Sequence, residues 1–293
     1  MTDAPRNKSL EDRLVDLPVL PSLVSRLIAL DMNSESSFDE VIAIAEGEPS
    51  FAMRVLSMAN SVLLAPNQEI TSIPQAVARV GARRISELCS SMALLTTFSP
   101  TTRQQRETWL DAIQVAVGAR RIAGAIPDCS VEPQDAYMVG LLHDFGRIVL
   151  DDFDSEEVRH SDELRLTQSE LLVRLEENVI GFSHADAGAA ALERWGLPQA
   201  LAGYVRNHHI YDADAVQVEN SLMLQIVQVA DRLSVRLQLN PRSVRSDGLA
   251  SLLELTKDTL SVHPDFPLDR NQLADLAPGI RAETVDLALG LGL

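Results

Sequence analysis

The chain has 293 residues, 46% apolar and 23% charged, with 25 basic against 42 acidic side chains and a formal net charge of −17. That length suffices for one large domain or two small ones with a core that needs no disulfides, and with 14 glycines and 14 prolines the chain is neither collagen-like nor low-complexity. Aromatic residues make up 4%, so the core must come from Leu, Val, Ile and Ala, a composition that favours packed helices over β-sandwiches. The acidic excess argues against sequence-independent binding to a phosphate backbone. No run of about 18 apolar residues is present, so nothing is expected to span a membrane. The opening MTDAPRNKSL lacks the apolar stretch of a signal peptide. Cys89 and Cys129 lack metal-ligand spacing and read as reduced packing thiols. The expectation is a cytoplasmic protein without nucleic-acid or membrane partners.

Taken in chain order, nearly every segment has helical period. Apolar residues recur at three and four from Phe38 to Ala45 and from Phe51 to Ala59, the latter with Pro49 at its start. Ser72-Ile73-Pro74-Gln75 opens a short helix that stops at Gly81. Ala82 to Phe98 follows with a long apolar face, and Thr101 to Glu107 is either a connection or the first turn of the next helix. Trp109 to Ile126 ends at Pro127, and Gln134 to Leu150 reads as one strongly apolar helix. Asp151 to Arg165 is a charged surface excursion. Further helices are expected over Ser169 to Val179, Ala185 to Trp195, Pro198 to His209 and Ser221 to Leu239. The tail offers three shorter ones, Asp247 to Leu260, Asp269 to Leu276 and Ala282 to Leu289. Strand alternation and internal repeats are absent, so the fold class is all-α, with a break near Ser99 to Arg106.

Only six histidines occur, and four of them form an ordered series. His143-Asp144 lie in an apolar helix, His184 opens another, His208-His209 close a third, and Asp231 lies inside a fourth. Imidazole and carboxylate groups on different helices, all facing inward, are how a helical bundle builds a metal centre. Such mixed nitrogen and oxygen donors suit Fe, Mn, Ni or Zn rather than calcium. Singly, each histidine has a bland alternative as a surface or hydrogen-bonded core residue, and paired histidines at a helix end suit its negative pole. Asp144 carries most weight, because a carboxylate in so apolar a helix costs several kcal/mol unless it is paired. Arg83-Arg84 and Arg120-Arg121 read as solvated faces, and Asn60-Ser61 as a turn-forming pair.

The order of these residues resembles the HD superfamily of metal-dependent phosphohydrolases, and more closely its signalling branch, the HDOD (HD-related output domain) family. The likeness rests on Leu17-Pro18-Val19-Leu20-Pro21, Glu48-Pro49, Leu56-Ser57-Met58-Ala59-Asn60-Ser61, Ile70 to Ala76 and Val80-Gly81. In the second half it rests on Gly140-Leu141-Leu142-His143-Asp144-Phe145-Gly146, His184 to Gly188, Trp195-Gly196-Leu197-Pro198 and His208-His209. It implies a two-lobed helical bundle over residues 17–240, with an N-terminal lobe over about 17–100 and an HD-like lobe over about 101–240. Residues 1–16 would be a polar tail and 241–293 a helical extension. It also implies a regulatory module that acts through signalling proteins and generally lacks enzymatic activity. The implied metal ligands are His143, Asp144, His184, His208, His209 and Asp231. Three departures argue against turnover on a cyclic dinucleotide. Asp111 stands where the hydrolases have a further histidine, and it can still ligate a hard metal. Arg147 stands where the cyclic-dinucleotide phosphodiesterases have a lysine, so it is the candidate phosphate contact of an active enzyme; the Gly-Tyr-Pro motif of that branch is missing after His209. Three readings follow: a non-catalytic output module, a metal-dependent phosphohydrolase, and a redox or gas sensor. Oligomeric state is open, since Val285 to Leu293 reads as a dimer contact or as a final core helix.

Overall fold

A computed structural model describes residues 9–15, 17–20, 22–28, 30, 34, 36–60, 69–150, 169–211, 216, 218–237, 263 and 265–293. All regular structure among them is helical. The helices are α1 (Leu10–Leu14), α2 (Ser22–Ile28), α3 (Ser37–Gly47), α4 (Pro49–Ala59), α5 (Ile73–Val80), α6 (Ala82–Thr97) and α7 (Arg103–Ala125). They continue as α8 (Pro133–Leu142), α9 (Phe145–Leu150), α10 (Ser169–Ile180), α11 (His184–Arg194), α12 (Gln199–Asn207), α13 (Ser221–Leu237) and α14 (Arg270–Leu291). The sequence-expected excursion Asp151 to Arg165 and the helix Asp247 to Leu260 lie outside the described residues.

Local chemistry sets most helix starts. Ser72 accepts from Gln75 N–H to open α5, and Pro49 opens α4, where its missing N–H costs nothing. Thr102 and Gln105 cap each other reciprocally, which makes residues 103–107 the first turn of α7 rather than a connection. Residues 10–14, inside the stretch read as a polar tail, form a turn of helix capped by Ser9, and Leu14 is buried. Asn60 is structural: its side-chain amide donates to Leu56 and Ile70 carbonyls and accepts from Ile70 N–H.

Helices α2 to α6 pack on one another around Val24, Val41, Val55, Val77 and Ile85. The second group is organised by α7, which packs against α8, α13 and α14. Gly140 sets the closeness of α7 and α8, since a methyl there would stand 2.9 Å from the Ala116 Cα. Two sequence expectations are corrected. The apolar run 134–150 is two helices, parted at His143-Asp144. A straight helix would turn those two side chains to different faces, whereas the break lets both face inward. The tail segments 269–276 and 282–289 are one helix, α14, which runs through Pro278. Its buried residues Leu273, Ala277, Ile280, Thr284, Leu287 and Leu291 keep one stripe on both sides of the proline. The burial of that stripe offsets the kink penalty of about 3 kcal/mol.

Beyond the break, α9 crosses the first turn of α11 backbone to backbone. A Cβ on Gly146 would sit 1.8 Å from the His184 carbonyl oxygen and 2.6 Å from Gly188 N. Gly146→Ala is therefore expected to lower the unfolding free energy by about 3 kcal/mol or more, or to prevent folding. Gly203→Ala in α12, where an added methyl meets nothing within 4 Å, should raise it by about 0.5 kcal/mol. Denaturant unfolding of both variants checks the pair, and equal effects would contradict the crossing.

Candidate metal centre

Three elements deliver four imidazoles to one point. His143 follows the last turn of α8, and its Nδ1 lies 2.7 Å from the Gly140 carbonyl oxygen. His208 follows α12 in the same way, with Nδ1 2.6 Å from the Val205 carbonyl oxygen. Each Nδ1 therefore donates to its carbonyl, which leaves Nε2 pointing inward. His184 is the first residue of α11, placed there by the reciprocal cap of Ser183 and Asp186. Its Nδ1 lies 2.6 Å from Glu176 Oε2 on α10, and that oxygen also accepts the His184 N–H at 2.8 Å.

These nitrogens surround Asp144, which is 4% exposed. Asp144 Oδ1 is 3.2 Å from His184 Nε2 and 3.4 Å from His208 Nε2. His143 Nε2 is 3.8 Å from Asp144 Oδ2 and 3.8 Å from Asp231 Oδ1 on α13. His209 Nε2 is 2.9 Å from His184 Nε2. Donor atoms of Asp144, His184, His208 and His209 all lie within 4.8 Å of one another, and so do those of Asp111, His143 and Asp144. Asp144 belongs to both sets. Asp111 on α7 also accepts a hydrogen bond from Ser234 on α13 at 2.5 Å. Arg147 Nε stands 3.9 Å from Asp144 Oδ2. All eight residues singled out from sequence thus meet in one region.

The donor set fits a cation. His143 Nε2, Asp144 Oδ1, His208 Nε2 and His209 Nδ1 are buried without a hydrogen-bond partner, and such an atom costs about 1–3 kcal/mol when nothing compensates it. A bound transition metal would satisfy the inward-facing imidazole nitrogens and the carboxylate together. Without a metal, the charges divide unevenly. Burial would raise Asp144, but His143 and His184 outweigh it and hold the carboxyl well below its usual range. Burial would lower His184, but Glu176 and Asp144 push it up to about 9. His209 is held well below the ordinary histidine value by burial and by His208 and His184.

Glu176 is the functional residue that sequence reasoning missed. It lies one turn after Leu172 on the buried face of an otherwise amphipathic helix, and that misplaced charge was its only trace. Loop geometry also matters. Gln228 on α13 donates to the Ile210 carbonyl at 2.7 Å, and Arg232 lies 3.8 Å over the Tyr211 ring. Together they tie down the turn that carries His208 and His209.

Residues 17–211 match the model of the HDOD domain. The chain belongs to the HDOD family. One curated relative, an uncharacterized protein of Treponema pallidum (strain Nichols), is 26% identical over 201 residues, which are 69% of this chain and 39% of that one. This HDOD chain therefore spans 39% of the relative's length. An HDOD domain protein of unknown function from Geobacter sulfurreducens has the same fold, with a TM-score of 0.69 and 24% identity over 95% of this chain and 99% of that one. A candidate signal-transduction protein from Marinobacter aquaeolei VT8 superposes with a TM-score of 0.71 and 22% identity, covering 98% of this chain and 62% of that one. A candidate phosphohydrolase from Shewanella amazonensis SB2B gives a TM-score of 0.69 at 18% identity, covering 96% and 97%. At these identities the likeness establishes the fold.

The Glu176–His184 pair makes a pH prediction. The folded value of His184, about 9, lies above the ordinary 6.5. Its stabilisation is then fully present below pH 6.5 and lost as pH rises through about 9. In metal-free protein, NMR of the imidazole should show His184 titrating near 9 and Glu176→Gln should bring it down. An unchanged midpoint in that variant would refute the role given to Glu176.

Proposed function

We propose that this HDOD domain is a signalling output module that acts through protein partners, with its His/Asp centre holding one or two divalent transition-metal ions. The observation that carries the metal reading is the set of inward, unpartnered donor atoms around Asp144. Residues His143, Asp144, His184, His208 and His209 would be the ligands, joined by Asp111 and Asp231. The bound metal would supply a fixed positive charge that holds these segments in one arrangement.

Two features support a role without turnover. Arg147, the candidate phosphate contact, is itself drawn toward Asp144. Asp111 offers a carboxylate where the hydrolases offer imidazole, which weakens the donor set. One observation favours the second reading, a metal-dependent phosphohydrolase: two ligand sets share Asp144, as paired metals in hydrolytic sites share a bridging group.

Metal analysis and an activity assay separate the two. Protein purified without chelator or affinity tag should carry one or two equivalents of Fe, Mn, Ni or Zn, and Asp144→Ala should carry none. The metal-loaded protein should not hydrolyse bis(p-nitrophenyl) phosphate above the rate of that variant. Stoichiometric metal in Asp144→Ala would overturn the ligand assignment, and metal-dependent hydrolysis would overturn the non-catalytic reading.

A further inference from the structure

Of the arginines read from sequence as solvated faces, Arg120 is largely buried at 16% side-chain exposure, whereas Arg83, Arg84 and Arg121 stay about one-third exposed. Arg83 behaves as expected, with an exposed ion pair to Glu132. Arg84, Arg120 and Arg121 instead converge on Glu283 of α14, which is 7% exposed. Arg84 and Arg120 both reach Oε1, and Arg121 Nε donates to Oε2 at 2.8 Å. Glu87 of α6 lies 3.4 Å from Arg120 Nε. Asp286, one turn beyond Glu283, lines a cleft of about 10 Å³ with Arg84, Glu87 and Met58.

The provenance of these charges matters. The three arginines and Glu87 lie within the HDOD match, residues 17–211, whereas Glu283 and Asp286 lie on a helix beyond it. The domain thus presents a positive spot in a chain whose net charge is −17, and α14 answers it with Glu283, beside which Asp286 lines the cleft. Arg54 of α4 adds a fourth contact by donating to the Gly290 carbonyl at the negative end of α14. Shape follows charge. At Gly279 a Cβ would stand 2.6 Å from the Arg121 guanidinium, so α14 is narrowed where that arginine passes. Below the ionic cluster, the apolar stripe of α14 supplies the contact area on α4, α6 and α7.

We infer that the face formed by α4, α6 and α7 is a docking site for an acidic amphipathic helix, and that α14 is its resident occupant. The helix it accepts has an apolar stripe, two carboxylates one turn apart, and a small residue one turn before the first of them. A partner helix of that chemistry takes the site when α14 leaves it. The buried carboxylates Glu87 and Glu283 and the largely buried Arg120 are a poor source of stability but, with Arg84 and Arg121 at the rim, a selector of which helix fits. A helix laid in a groove, anchored by an apolar stripe, is a common form of peptide recognition. The tethered α14 competes at high effective concentration, so a free helix binds the intact chain weakly.

The inference rests on the partner half of the proposed function and not on the metal. The test uses the full chain and a fluorescein-labelled peptide of residues 266–293. Glu283→Gln, which keeps the shape and removes the charge, should bind this peptide at least tenfold more tightly than the unaltered chain, by fluorescence anisotropy. Adding Arg121→Gln should abolish the gain, and a peptide carrying E283Q and D286N should bind neither chain. Equal binding by a folded Glu283→Gln and the unaltered chain overturns the inference. A second measurement needs no variant. In the unaltered chain, α14 amides should exchange with deuterium at least tenfold faster than those of α7. If α14 and α7 exchange together, α14 is part of the core and the inference fails. Hydrolysis by the metal centre would sink the non-catalytic reading while leaving these results intact.

Discussion

A carboxylate buried at the meeting point of four imidazoles organises this molecule. Ionising Asp144 in an apolar shell would cost several kcal/mol if it stood alone. Here the surrounding histidines favour the anion, and each of three is held from behind: His143 by a carbonyl of α8, His208 by a carbonyl of α12, and His184 by Glu176. Those outer partners fix which nitrogen faces Asp144, as second-shell groups do at metal sites. The demand that His143 and Asp144 face one point breaks the chain between α8 and α9. It also brings α9 across α11, where only glycine fits at 146.

The centre is also tied to distant parts of the chain through Phe145, the residue after Asp144. Its ring meets Phe98 at 4.9 Å and Trp195 at 5.1 Å, and those two rings lie 5.5 Å apart. Phe98 ends α6, and its carbonyl accepts from Trp109 Nε1 on α7. Trp195 follows the last turn of α11, the helix that His184 begins, and donates to the Pro18 carbonyl near the start of the described chain. In a sequence with so few aromatic residues, three of them meet pairwise at this junction. Side chains with few rotatable bonds give contact at small entropic cost, which suits a junction that must hold its shape.

Legibility in the sequence followed the range of the interactions. The caps at Ser72 and Thr102 depend on residues three positions on, and the periodic helices depend on their own stripes, so both could be read. The ligand residues could be read because histidine is scarce here and because a charge inside an apolar helix stands out. Glu176 could not, since one glutamate on an amphipathic helix looks like any solvated charge until its face is known. The break at His143 was hidden for a related reason: 134–150 is apolar all round, and period alone does not distinguish one buried helix from two. Pro278 misled in the other direction. A proline usually ends a helix, but here the same stripe is buried before and after it.

The arginines illustrate the limit most clearly. Arg83 and Arg84 are neighbours in sequence, yet successive helix positions point about 100° apart, and they meet different partners. Arg83 pairs with an exposed Glu132, a contact of the kind that contributes about 0–1 kcal/mol. Arg84, about as exposed itself, reaches a buried glutamate nearly two hundred residues later. No local pattern encodes that partner. The desolvation of Glu87, Glu283 and Arg120 also works against the fold, because replacing such buried clusters with apolar side chains is often neutral or stabilising. Adhesion of α14 is therefore the work of Leu273, Ile280, Leu287 and Leu291, and any apolar helix could supply it. The charges do something different. They make the face discriminate against a helix that lacks the Glu283 carboxylate, since Arg84, Arg120 and Arg121 would then lose the counter-charge they share. The stripe holds a helix in place, and the arginines decide which one.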